Sequence, residues 1–209
     1  MENLILEYNK KREKIKERLR EFRDLHRGKD EDIFPELCFC ILTPQSKAVN
    51  SDRAIKELKK SGLLFKGNRR AVRALLKGVR FPNNKSAFLV HARKVFTDGK
   101  GVNVKCRLNP DDIFATREWF VKNVKGIGYK EASHFLRNIG LGRDLAILDV
   151  HILKNLKRYK VIDKIPSSLS RKTYLDIEDK MREFCKRINI PMEEIDLLFW
   201  SRETGIIFK

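Results

Sequence analysis

Two glycines, Gly126 and Gly128, precede Lys130 in the segment FVKNVKGIGYKEASHFL, residues 120–136. Glycines lack a Cβ, so backbone N–H groups there can come close to a phosphate, beside the positive end of the following helix dipole and with Lys125 adjacent. Lys130 falls in the first turn of that helix. The helix N terminus and Lys125 both disfavour a second cation, so the amine sheds its proton more readily, and a neutral amine is a nucleophile. Helix electrostatics would favour an acid at this place, so the lysine invites a functional explanation. Nineteen residues later, Asp149 stands in Leu148-Asp149-Val150-His151, where a helix begins. Capping alone would justify Asp149 by about 1 kcal/mol, and a first-turn histidine such as His151 suits a structural hydrogen bond. Taken separately, the glycines also fit a ligand-free turn between core helices, and Lys130 one of many surface lysines.

The elements that must position these groups read as helices. Phe120 and Val124 share one helical face, Gly126-Ile127-Gly128 turns the chain, and Ala132, Phe135 and Leu136 restart a helical face. The pattern is a helix-hairpin-helix, with Ile127 as the plug between its two helices. Apolar residues recur at i, i+3, i+4 and i+7 in most other segments, with almost no alternation of period two. The expected fold is therefore all-α. Residues 2–24 form an amphipathic helix with Leu4, Leu6, Tyr8, Ile15, Leu19 and Phe22 as its apolar positions. Pro35 is the expected start of a buried helix ending at Leu42, and Phe81-Pro82-Asn83-Asn84 a turn before a helix from Lys85 to Phe96. Helices are also expected over 46–61, 69–78, 113–121, 150–159, 172–188 and 193–200, with a break at Gly99-Lys100-Gly101. The chain is expected to be one helical unit of two lobes. A central block, 30–140, holds the hairpin at 120–136, and 1–29 with 141–209 form the second lobe.

The chain has 209 residues, and 46 Lys plus Arg against 28 Asp plus Glu leave a formal charge of +18. A hydrophobic fraction of 42% with 13 Phe is enough for a sizeable core and excludes a disordered chain. The densest apolar run, Leu37 to Leu42, is far short of the ~18 residues of a membrane span, and the N terminus has no signal-peptide core. A cytoplasmic protein is expected. Basic residues recur along the whole chain (KKREK, KGNRR, RKVF, KRYK), which suits a broad phosphate-contacting face better than a membrane anchor. Cys38, Cys40, Cys106 and Cys185 are too few and too scattered for a disulfide framework or a metal cluster.

GIGYKEA followed by LDVH resembles the helix-hairpin-helix DNA glycosylase superfamily. The resemblance spans about residues 30–200 and implies a DNA-binding cleft between the two lobes, with Lys130 as the catalytic lysine and Asp149 as the catalytic aspartate. It makes Gly126, Gly128 and Lys125 the phosphate-binding group. Leu42-Thr43-Pro44-Gln45-Ser46 is similar to the segment that faces the lesion, which makes Gln45 a candidate to fill the gap left by an extruded base. A lysine at 130 implies a bifunctional enzyme, and the missing C-terminal cysteine cluster implies that no iron–sulfur centre is present. The short all-α chain ending in TGIIFK is most similar to the archaeal and bacterial type 2 8-oxoguanine DNA glycosylase/AP lyases. That similarity makes Trp200 an aromatic wall and Lys209 a contributor to base recognition. The implied activity is excision of 8-oxoguanine from duplex DNA and strand cleavage 3′ to the abasic site through a lysine Schiff base. It is expected of a monomer acting on nucleoid DNA in a prokaryotic cytoplasm, without metal or organic cofactor. The alternatives are the same chemistry on another lesion, such as an oxidised pyrimidine, or a non-catalytic helix-hairpin-helix DNA-binding module. Because several phosphates would be neutralised, duplex affinity should fall steeply and linearly in log–log terms with salt. A flat response in a fluorescence-anisotropy titration across salt concentrations would contradict this electrostatic reading.

Overall fold

Apolar residues at helical spacing become α-helices throughout a computed structural model that describes residues 1–99 and 101–209. Lys100, within the expected Gly99-Lys100-Gly101 break, lies outside the described residues. The helices are α1 (Glu2–Arg27), α2 (Asp30–Leu42), α3 (Ala48–Lys60), α4 (Leu63–Lys66), α5 (Arg69–Ala74), α6 (Pro82–Phe96), α7 (Ile113–Asn123), α8 (Tyr129–Asn138), α9 (Val150–Arg158), α10 (Arg171–Ile188) and α11 (Met192–Thr204). Among the described residues the only β pairing is an isolated bridge, Thr97 with Val102. No described helix is long and apolar enough to cross a membrane.

The chain divides into two compact units, Met1–Asp24 with Leu136–Lys209, and Leu25–Phe135. In the 25–135 unit, α2 is buried along its length from Ile33 to Leu42. It begins at Asp30, ahead of the expected start at Pro35, because Asp30, Glu31 and Asp32 place three negative charges at the positive helix end. Pro35 then costs the helix one interior hydrogen bond. The unit's core is aromatic: Phe34 lies 6.1 Å from Phe65 and 6.5 Å from Phe96, and Phe96 stacks on Phe120 at 5.7 Å. Helix α6 starts at Pro82, earlier than expected. Phe81 takes the left-handed conformation as its N-cap, and Pro82, which has no N–H to lose, fills the first helical position.

The other unit packs α1 through Leu4, Tyr8, Ile15, Leu19 and Phe22, whereas Leu6, expected among the apolar positions, is 58% exposed. Tyr159 stacks between Phe184 and Phe199 at 6.0 and 5.6 Å. The Arg202 guanidinium donates to Tyr159 Oη at 2.7 Å, Asn155 Oδ1 at 3.0 Å and the Glu7 carboxylate. Tyr8 donates to Glu194 at 2.6 Å, and burial together with that carboxylate pushes its hydroxyl up to about 12. Cys38, Cys40 and Cys185 are buried and Cys106 exposed, all as free thiols.

One ion pair in this unit is buried on both sides. Arg137 Nη1 lies 3.2 Å from Asp196 Oδ2, both side chains being at most 6% exposed, and the guanidinium also covers the Phe22 ring at 5.1 Å. Burial pushes the Asp196 carboxyl up to about 7 against the pull of Arg137, and the charge of Asp149 adds to the push. Removing one partner strands the other charge in the core, so Arg137→Met should cost about 3–5 kcal/mol in a urea-unfolding measurement. The double variant Arg137→Met/Asp196→Leu should recover most of that loss. A single variant as stable as wild type would show that the pair contributes nothing.

Candidate functional site

The hairpin is built as the apolar spacing requires. Phe120 and Phe135 are fully buried, with ring centroids 5.1 Å apart, and Val124, Ile127 and Ala132 fill the angle between α7 and α8. Asp112 caps α7 by accepting from Ala115 N at 2.9 Å. Arg117, 1% exposed, donates from α7 to Ser133 Oγ of α8 at 3.2 Å and lies over the Tyr129 ring at 5.3 Å. Between the helices, Gly126 has φ +84°, and a Cβ there would stand 2.5 Å from Phe88 Cδ2. Only glycine meets both conditions. The turn thus lies directly against the ring of an α6 residue.

Gly128 leads into α8. Its N–H is donated to Glu131 Oε2 at 3.2 Å, half of a capping box at the start of α8. The other oxygen, Glu131 Oε1, lies 2.8 Å from Lys130 Nζ, a contact between adjacent residues in which the lysine side chain is 24% exposed. Sequence reading missed this carboxylate, although Glu three residues after a helix cap is a known signal. Lys125 is exposed on the turn, and with Lys94 it helps depress the His91 pKa, which burial lowers first.

Gln45 lies in the same unit as the hairpin, exposed, with φ +55°. A non-glycine residue in this region stores about 1–3 kcal/mol of strain that its surroundings must hold. Those surroundings centre on Lys85, at the first turn of α6 and 4% exposed. Its ammonium donates to Leu42 O at 2.7 Å, Pro44 O at 2.6 Å and Ser46 Oγ at 2.9 Å. Burial lowers the Lys85 pKa to about 8; repulsion from Lys130 and Arg80 adds to the fall and Glu131 opposes it. Gln45, Phe81, Lys85, Phe88, Gly126 and Glu131 line a cavity of about 320 Å³. The structure therefore brings Gln45 together with the hairpin glycine and with the carboxylate that holds Lys130. Phe81 and Phe88 gave no sequence signal beyond being two of 13 phenylalanines.

Asp149, Trp200 and Lys209 belong to the other unit. Asp149 is the N-cap of α9, its Oδ1 accepting from His151 N at 2.9 Å and Ile152 N at 2.8 Å. Both N–H bonds fall on one oxygen. Gly205, at φ +81°, ends α11 and turns the chain, and Phe208 then stacks on Trp200 at 6.4 Å. Lys209 Nζ lies 6.0 Å from the Phe208 centroid, so the two C-terminal candidates share one aromatic patch through a residue the sequence reading did not single out.

The sequence profile of the family described as 8-oxoguanine DNA glycosylase matches residues 15–190. An 8-oxoguanine DNA glycosylase/AP lyase of Fusobacterium nucleatum is 50% identical over 197 residues, covering 93% of this chain and 91% of the relative. The solved 8-oxoguanine glycosylase/lyase of Methanocaldococcus jannaschii, in complex with a 15mer DNA containing 8-oxoguanine, superposes with a TM-score of 0.86 at 35% identity, covering 100% of both chains. The 8-oxoguanine DNA glycosylase of Thermotoga maritima does so at 0.84 and 36%, covering 100% of this chain and 97% of that one. With a profile match over most of its length and a relative half identical over 197 residues, the chain belongs to the 8-oxoguanine DNA glycosylase family.

Proposed function

We propose that this protein excises 8-oxoguanine from duplex DNA and then cleaves the strand 3′ to the abasic site, with Lys130 as the nucleophile. The observation that carries the reading is the hairpin itself. It puts a lysine in the first turn of α8, beside backbone donors, in a chain whose whole length parallels a protein solved on 8-oxoguanine DNA. A base within a duplex must leave the stack before its glycosidic bond can be reached, at a cost of a few kcal/mol. Gly126, Gly128 and Lys125 would hold the backbone phosphate that anchors this distortion, with the Gly128 N–H freed as Glu131 turns aside. Gln45 would fill the gap in the stack, and Trp200 and Lys209 would contribute to recognition of the extruded base.

Released from Glu131 and neutral, Lys130 attacks C1′ of the deoxyribose, and the electron pair of the breaking glycosidic bond leaves with the base. Asp149 stabilises the positive charge that develops on the sugar through the carboxylate oxygen left over from capping. Ring opening gives a Schiff base whose 2′ proton is acidic. Loss of that proton and departure of the 3′ phosphate complete the β-elimination, and water releases the lysine. These steps require only side chains and water. The protein is proposed to act as a monomer on nucleoid DNA in the cytoplasm.

Borohydride trapping on a duplex carrying 8-oxoguanine opposite cytosine tests the assignment, with undamaged duplex as control. Wild type should form a covalent adduct on the damaged duplex alone, and Lys130→Gln should form none and cut neither bond. Strand cleavage retained by Lys130→Gln would sink the assignment, and an adduct formed only on oxidised-pyrimidine duplex would move the substrate. Asp149→Asn keeps a good capping residue, so it should fold and bind while its excision rate drops about a hundredfold or more, as for loss of a transition-state charge partner. Full activity in that variant would reduce Asp149 to a helix cap.

A further inference from the structure

Lys85 is a buried cation that the proposed chemistry does not use. All three donors of its ammonium are spent on one short stretch of chain, on the carbonyls Leu42 O and Pro44 O and the hydroxyl Ser46 Oγ. These acceptors bracket Gln45 on both sides, and Gln45 is the residue of that stretch with left-handed backbone, φ +55°. Two further ties hold the ends of the turn. Ser46 Oγ also accepts from Arg80 N at 2.9 Å, and Ser51 Oγ donates to Leu42 O at 3.1 Å. A carbonyl at a helix C terminus and a carbonyl in a turn have no helical partner of their own, and a cation is the strongest donor that can satisfy both. Burying a lysine for this purpose is costly, and the two carbonyls could have been left to water at an ordinary surface turn. The expense makes sense where the turn must hold one strained geometry against load.

We propose that Lys85 is a positioning residue for lesion excision: its ammonium clamps the turn from Leu42 to Ser46 so that Gln45 is held ready to enter the base stack. The inference rests on the reading of Gln45 as the residue that fills the gap. Inserting a side chain into duplex DNA pushes back on the backbone that carries it, and a residue in left-handed backbone can relax by rotating its peptide. With three bonds across five residues the clamp removes that escape. The clamp matters for extruding a base, and much less for a duplex that already has an abasic site, where no base has to be unstacked. That difference separates positioning from general support of the fold.

The experiment is a pair of single-turnover assays on each variant, excision from an 8-oxoguanine:cytosine duplex and strand cleavage of a duplex with a preformed abasic site. Lys85→Met should slow excision about tenfold or more, a barrier increase of about 1.4 kcal/mol or more, and leave abasic-site cleavage near the wild-type rate. Gln45→Ala should show the same selective loss. Because both act through one turn, the double variant should be no slower than the slower single variant. Lys85→Arg keeps the charge but spreads its donors over a planar fork, so it should give a smaller loss of the same selective kind, and it serves if the methionine variant does not fold. Parallel loss of excision and abasic-site cleavage in both Lys85 variants would overturn the proposal, as would multiplicative losses in the double variant. Wild-type excision by Gln45→Ala would instead remove the reading of Gln45, and the role of Lys85 with it, whatever the Lys85 variants do.

Discussion

The geometry of the hairpin unit depends on one steric constraint, the contact of Gly126 with the ring of Phe88. With φ at +84° and no room for a Cβ, the turn between α7 and α8 can close only where a glycine stands against that ring. The closure settles several things at once. It seats Ile127 and Val124 in the angle of the hairpin, sets Phe120 against Phe135, and starts α8 one residue before Lys130. Because Phe88 belongs to α6, the same contact sets the hairpin beside the helix whose first turn carries Lys85. The cavity lined by Gln45, Lys85, Phe88, Gly126 and Glu131 is the space these contacts leave open.

The buried cations Lys85, Arg117 and Arg137 each meet partners. Lys85 spends its donors on two carbonyls and a hydroxyl. Arg117 bonds Ser133 and covers aromatic rings, and Arg137 faces Asp196. The formal charge of +18 is therefore not spread evenly in its function. Most of the cations are exposed and available to phosphates, while a few interior ones act as cross-ties whose loss would strand a partner. Glu131 belongs to both sets. It caps the Gly128 N–H and pairs with Lys130, so the same carboxylate stabilises the start of α8 and occupies the amine that the proposed chemistry requires.

The helical architecture was legible in the sequence because helices leave a periodic imprint: Phe120, Val124, Ala132, Phe135 and Leu136 were expected on buried faces and are there. The starts of α2 and α6 were less legible. Pro35 was expected to open its helix and Pro82 to lie in a turn ahead of one; instead the acids at 30–32 start α2 before Pro35, and Pro82 opens α6 behind the left-handed Phe81. Leu6 shows the converse failure, an apolar residue at helical spacing that stays largely exposed.

What the sequence by itself determined was the local grammar: a glycine turn, a lysine after it, an aspartate at a helix start, and a resemblance strong enough to imply the family. These are short-range features, set by backbone conformation and by spacing along one chain. Only the tertiary structure decided which distant residues meet: Gln45 and Gly126 at one cavity, Lys85 across some forty positions on the carbonyls of Leu42 and Pro44, and Phe208 against Trp200. The physical reason is that these contacts join elements far apart in sequence. A buried lysine looks like any other lysine until its acceptors are in place, because two of its three partners are backbone oxygens, and backbone oxygens carry no residue type.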